Sequence, residues 1–194
     1  EGKIKLVEDP SSPHSEQDRK LQRTTLQSLF EMTENLAFLN EKVLQSMNLA
    51  EALQDSSKNK ALNKALKTFS DTMSSIRKDL VATKPGLAIT GEEKIREKLS
   101  ALYGGVLSYN GRPSDSQLKN MKSLSDQISI QENRAMKQWE IQLNKVNTLL
   151  TKEGLQPIVL LTRDAFNTKE EATGSGKVKE LIFPWKISLN REEE

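Results

Sequence analysis

From about Ser15 to Gln54 the apolar side chains recur at spacings of three and four, a period that suits a helix and that no strand can use. They fall at Leu26, Leu29, Leu36, Val43, Met47 and Ala50, with Phe30, Ala37 and Leu44 one step along. At a rise of 1.5 Å, roughly 38 such residues extend about 57 Å, far longer than one helix sustains alone in water. The stripe therefore demands partners of similar length, and the rest of the chain supplies them.

Asp55-Ser56-Ser57 offers capping oxygens for a second helix, with its seam at Leu62, Leu66, Phe69, Met73, Ile76 and Leu80. Lys84-Pro85-Gly86 stops it. Thr90-Gly91-Glu92-Glu93 has capping-box spacing and opens a third helix, with seam Ile95, Leu99, Leu102 and Val106, which Asn110-Gly111-Arg112-Pro113 ends. Ser114 and Gln117 repeat the capping box. The fourth helix places Met121, Ser125, Ile128, Glu132, Ala135, Trp139, Val146 and Leu149 on or beside one face and ends at Gly154. Short connections favour antiparallel neighbours, so the expectation is an all-α protein: an up-down-up-down four-helix bundle with two long and two shorter helices.

The flanks break this period. Lys3-Ile4-Lys5-Leu6-Val7 alternates as a short strand, and Asp9-Pro10-Ser11-Ser12-Pro13 interrupts it. After Pro157 come Ile158-Val159-Leu160-Leu161, a polar stretch from Asn167 to Lys177, and Leu181-Ile182-Phe183-Pro184-Trp185. The expected organisation is the end of an upstream strand at 1–10, the bundle at 11–156, and an extended segment with a mobile loop at 157–194.

Charge narrows the partners. Lys and Arg number 29 against 27 Asp and Glu, so no overall field recruits nucleic acid. Residues 1–57 carry −4, residues 58–113 carry +6, and residues 114–194 are neutral. A hairpin folded near Asp55 would bring Glu51 towards Lys60 or Lys64, Glu41 towards Lys67, and Glu34 towards Arg77 or Lys78. Such exposed pairs bias register more than stability, at about 0–1 kcal/mol each. The basic stripe Lys60, Lys64 and Lys67 has no interleaved aromatics for base stacking and reads as a solvated face. Apolar runs of four residues, at 36–39 and 158–161, fall far short of the roughly 20 a membrane span needs. Residue 1 is a glutamate with no targeting pattern after it, so the expectation is a fragment or mature form.

Reactive chemistry is sparse. The chain has no cysteine, and its single histidine is His14, which excludes thiolate nucleophiles, sulfur-bound zinc and the Glu-x-x-His repeats of a bundle metal site. His14 lies beside Ser15, but adjacency in sequence is not a triad, and a solvated ring is expected. Gly174-Ser175-Gly176-Lys177 resembles the end of a phosphate loop, yet Glu171 stands where the first Gly belongs and Val178 where Ser or Thr would hold magnesium. No carboxylate pair marks a glycosidase cleft. The reading is a non-enzyme with no cofactor and no metal.

Four residues on the expected seams are candidate ligand or register positions: Thr33, Asn40, Glu132 and Trp139. Thr33, Asn40 and Glu132 place polar groups where a heptad wants apolar ones. Asn40 suits a register-fixing hydrogen bond, Glu132 the seam's edge, and Trp139 the core.

A strand ending in Asp9-Pro10, a long helix, Gly111-Arg112-Pro113-Ser114 with Gln117, and Asn147-x-x-Leu150 leading to Gly154-Leu155-Gln156-Pro157-Ile158 occur together. This set, over roughly residues 4–160, resembles the C-terminal helical region of large secreted bacterial proteins with sortilin-like or BNR-repeat β-propellers, often labelled glycosyl hydrolase-like. The resemblance implies a secreted or periplasmic location, and a structural or protein-binding accessory module with upstream domains of the parent chain, another protein or a second copy as partner. It also implies that any glycan hydrolysis belongs to the propeller. No catalytic residues carry over. A ligand-sensing bundle with a small molecule between its helices is the alternative from another class.

Overall fold

The computed structural model describes residues 11, 13–84 and 91–172. The proposed strand at 3–7, Thr90, the phosphate-loop look-alike and the apolar segment at 181–185 lie outside the described residues. Among those described the protein is all-helical: α1 (Glu16–Ser56), α2 (Lys60–Leu80), α3 (Ile95–Leu107), α4 (Asp115–Gln138), a π-helical turn (Trp139–Leu143), α5 (Asn144–Lys152) and α6 (Arg163–Ala172).

Local chemistry sets the ends. Ser15 caps α1, its hydroxyl accepting from the Asp18 N–H at 3.2 Å while the Asp18 carboxylate accepts from the Ser15 N–H at 3.1 Å. Ser114 and Gln117 reproduce this reciprocal arrangement at α4. Two helix starts differ from expectation. Asn59, not the Asp55 to Ser57 run, caps α2, its Oδ1 accepting from Ala61 and Leu62 N–H, because α1 continues through Ser56. The third helix begins at Ile95, where Glu97 accepts from the Lys94 N–H at 3.1 Å and also reaches the Ala82 N–H at 3.1 Å. At the end of α5, Gly154 turns left-handed with φ +71°, and Leu155 and Gly154 N–H return to the Leu150 and Thr151 carbonyls.

Side-chain pairs fix the directions of the helices. Glu51 of α1 accepts from Ser70 of α2 at 2.8 Å, so α2 folds back on α1. At the other end of α1, Gln22 donates to the Val106 carbonyl at 2.9 Å and to the Tyr109 carbonyl. The C-terminal end of α3 thus lies beside the N-terminal end of α1, and α3 runs in the same direction as α2. The long return helix then passes both in reverse order: Arg134 pairs with Asp79 at 2.8 Å, Gln142 with Thr72 at 3.4 Å, and Glu153 with Asn59 at 2.7 Å.

This corrects the up-down-up-down expectation. α1 has 41 residues and spans about 62 Å, while α2 with 21 and α3 with 13 are each too short to cover it. Set end to end, they bury its stripe over nearly its full length. The connection from Val81 to Lys94 is long enough that it need not reverse the chain, unlike the tight Ser57 to Asn59 joint.

The core is continuous along these three ranks. All six expected seam residues of α2 and all four of α3 are buried. In α1, Leu29, Leu36, Val43 and Ala50 are buried, as is Leu39, together with the polar Gln22, Thr25, Thr33 and Ser46. In the return helix Ile128, Ala135, Trp139 and Val146 of the expected seam are buried and Met121 and Leu149 pack half-buried against them, while Leu124, Leu143 and Leu150 join the core and Ser125 and Glu132 face outward. Ala135, Trp139 and Leu143 follow one another at spacings of four, each overshooting a 3.6-residue turn by about 40°. The wider π turn absorbs that drift and keeps Leu143, Val146 and Leu150 on the inner face.

The C-terminal segment departs from the extended reading. Ile158 is buried and tied to Asn147, which donates to its carbonyl at 3.0 Å and accepts from its N–H at 2.8 Å. Residues 163–172 then form α6, because Phe166 buries its ring edge-on against Phe38 at 5.5 Å between centroids.

Candidate functional site

The four sequence candidates separate in space. Thr33 is buried, and its hydroxyl donates to the Leu29 carbonyl at 2.8 Å, which satisfies it within its own helix. Asn40 is half-buried, and its Oδ1 is buried with no hydrogen-bond partner, so that oxygen makes no register-fixing bond. Glu132 and Trp139 come together on the wall of a cleft of about 490 Å³ between α1 and α4.

Sequence reasoning placed Ser125 and Ile128 on or beside the seam but missed the sides of this cleft that α1 and α6 supply. Asn35, Phe38 and Lys42 recur at spacings of three and four on the face of α1 next to the seam, and Ser125, Ile128, Glu132 and Met136 do so on α4. Arg163, at the start of α6, closes one edge. Trp139 forms the floor: it is buried, and its indole N–H points to the Ser46 hydroxyl at 3.4 Å, which itself donates to the Val43 carbonyl at 2.9 Å.

Two cations line an aromatic surface here. The Lys42 ammonium stands 4.6 Å above the Trp139 ring and 5.6 Å from the Phe38 ring. Burial holds it below the ordinary lysine pKa, and the Glu132 charge opposes that shift only in part. The Arg163 guanidinium lies 4.6 Å over Phe38 and bonds the Asn35 side chain and, at 3.4 Å, the Glu34 carbonyl. Further along, Lys169 pairs with Glu41 at 2.7 Å, in place of the expected Glu41 to Lys67 approach.

His14 is not the freely solvated ring expected. It is half-buried, meets Tyr109 edge-on at 5.3 Å, and its Nε2 lies 3.0 Å from the Tyr109 hydroxyl. These contacts fasten the start of α1 to the end of α3. Lys60, Lys64 and Lys67 are exposed. Among the described residues no group of three or more His, Asp or Glu is placed to hold a metal ion, and no helix is long and apolar enough to cross a membrane.

No family model, curated protein or solved structure matches the chain. Nothing in these comparisons links it to sortilin-like or BNR-repeat proteins.

Proposed function

We propose that this chain is a noncatalytic helical-bundle module, a rigid structural or protein-interaction element at the C-terminal end of a larger exported β-propeller protein. The observation that carries the module reading is the uninterrupted core. Polar groups that enter it, such as Thr33 and Ser46, close onto the backbone of α1 rather than converging on a reacting centre. A bundle about 60 Å long, with its ends tied by Gln22 and by Asn59, is suited to holding neighbours at a fixed separation. The β-propeller context rests on the sequence resemblance.

Expressed alone, the chain is expected to give a strongly helical circular dichroism spectrum and to unfold in one cooperative transition. It is expected to leave chromogenic glycosides uncleaved. A non-cooperative melt overturns the module reading, and turnover abolished by a point mutation in this chain overturns the noncatalytic one.

The cleft favours a second reading, a sensor that binds a small molecule between helices. Its volume of about 490 Å³ lies within the usual range of ligand sites, about 300–1,000 Å³. Apolar walls with a few charged groups have the composition of such sites.

A further inference from the structure

We propose that the cleft between α1 and α4 binds a carboxylate carried on an apolar body, with the carboxylate at Lys42 and the body against Trp139, Phe38 and Ile128. The inference rests on the small-molecule reading of the same cleft and names the ligand's chemistry.

Charge complementarity carries it. Lys42 and Arg163 bring two positive charges to the cleft and Glu132 one negative. Arg163 is already engaged by Asn35 and Glu34, whereas among the described residues no carboxylate oxygen lies within 4.0 Å of the Lys42 ammonium. That ammonium rests on ring faces, which replace only part of the hydration it loses on burial. A ligand carboxylate would supply charge-assisted hydrogen bonds at that point. The surface beneath is apolar and rigid, since Trp139 is held by core packing, so the remainder of the ligand gains most by being hydrocarbon. Glu132, exposed at the rim, disfavours a second anionic group and selects a single one.

The test is titration of the full chain with decanoate, 2-naphthoate and the uncharged decanol, followed by calorimetry and tryptophan fluorescence. Decanoate or 2-naphthoate is expected to bind at least about tenfold more tightly than decanol, a difference of about 1.4 kcal/mol. Which of the two acids is preferred distinguishes a flexible chain from a ring. Lys42→Met is expected to remove that preference while decanol binding persists, and Lys42→Arg to retain it. Glu132→Gln, a change at an exposed position that folding tolerates, is expected to tighten acid binding about threefold.

Equal binding of decanol and the acids overturns the carboxylate assignment and leaves the cleft a ligand site. Absence of binding by all three overturns both. Concentration-dependent shielding of Trp139 by self-association, unaffected by decanoate, assigns the cleft to a second copy of the chain and overturns the proposal as well.

Discussion

The Asn40 side chain shows how a single atom departs from its expected role. Its Oδ1 is shut away from water without a donor, so the residue destabilises where a hydrogen-bonded asparagine would specify register. Asn40→Leu is expected to raise stability by about 1 kcal/mol, read from the midpoint of a urea melt. Gly154 has the opposite character. At φ +71° a Cβ strains the backbone although nothing lies within 4 Å of it, so Gly154→Ala is expected to cost about 1 kcal/mol with no loss of packing. Gly111 is required for space instead: a Cβ there would stand 2.6 Å from the His14 ring and 2.7 Å from the Tyr109 ring. Gly111→Ala is expected to detach His14 from Tyr109, visible as a shift of the His14 imidazole resonances and faster amide exchange in the first turn of α1.

At the scale of elements, legibility followed the purity of the heptads. α2 and α3 carry apolar residues at every inward position but that of Ser70, and each apolar seam residue expected there is buried. The expected seam of α1 passed over the buried Gln22, Thr25 and Ser46, since polar side chains carry no hydropathy signal, and those of Gln22 and Ser46 sit inward at no great cost by bonding to backbone carbonyls. On α4, Ser125 and Glu132 fall on the expected heptad but lie beside the buried Leu124, Ile128 and Ala135 where the cleft opens, so their polarity marks the seam's edge, and the π turn changes only the inward positions beyond Trp139. α6 was illegible for a different reason: within Arg163–Ala172 the one large apolar side chain is Phe166, and the contact with Phe38 that fixes it is tertiary. Two of the four candidates expected from the sequence, Glu132 and Trp139, line the cleft, while Asn35, Phe38, Lys42 and Arg163 acquire meaning only when α1, α4 and α6 are brought together. The first turn of α1 also has a definite response to acid. Hydrogen bonds from the Ser15 side chain and backbone hold the Asp18 carboxyl below its ordinary pKa of 3.8. A depressed carboxylate pKa stabilises the fold above the unfolded value, and that contribution disappears as pH falls through the folded one. Amide exchange at Asp18 and Arg19 is therefore expected to accelerate on acidification below about pH 4, and Asp18→Asn to abolish that dependence.

For the whole molecule, the side-by-side count of helices was misleading, since a default of antiparallel neighbours holds only for short joints. The end-to-end placement of α2 and α3 makes α1 the common spine, touched by every other rank. A cavity in the core that packs against the spine should therefore propagate: Phe69→Ala in α2, at a site with 0 % exposure, is expected to lower stability by about 3–5 kcal/mol in a single cooperative transition, without a separate melting step for α3.

The π turn at Trp139 to Leu143 also makes the chain's numbering there a mechanical quantity. Removing one of the five would let hydrogen bonding revert to the ordinary ladder with everything downstream kept nearly in phase, because a π turn takes up about one residue more than an α turn, whereas the same loss from α4 would pivot the rest by about 100° about its axis. A loss within α4 would swing Val146 and Leu150 out into solvent, and the clasp between Glu153 and Asn59 would miss its mark. A deletion inside α4 is therefore more disruptive than one inside the π turn, because it changes phase along the rod rather than relaxing a turn that already holds the extra residue.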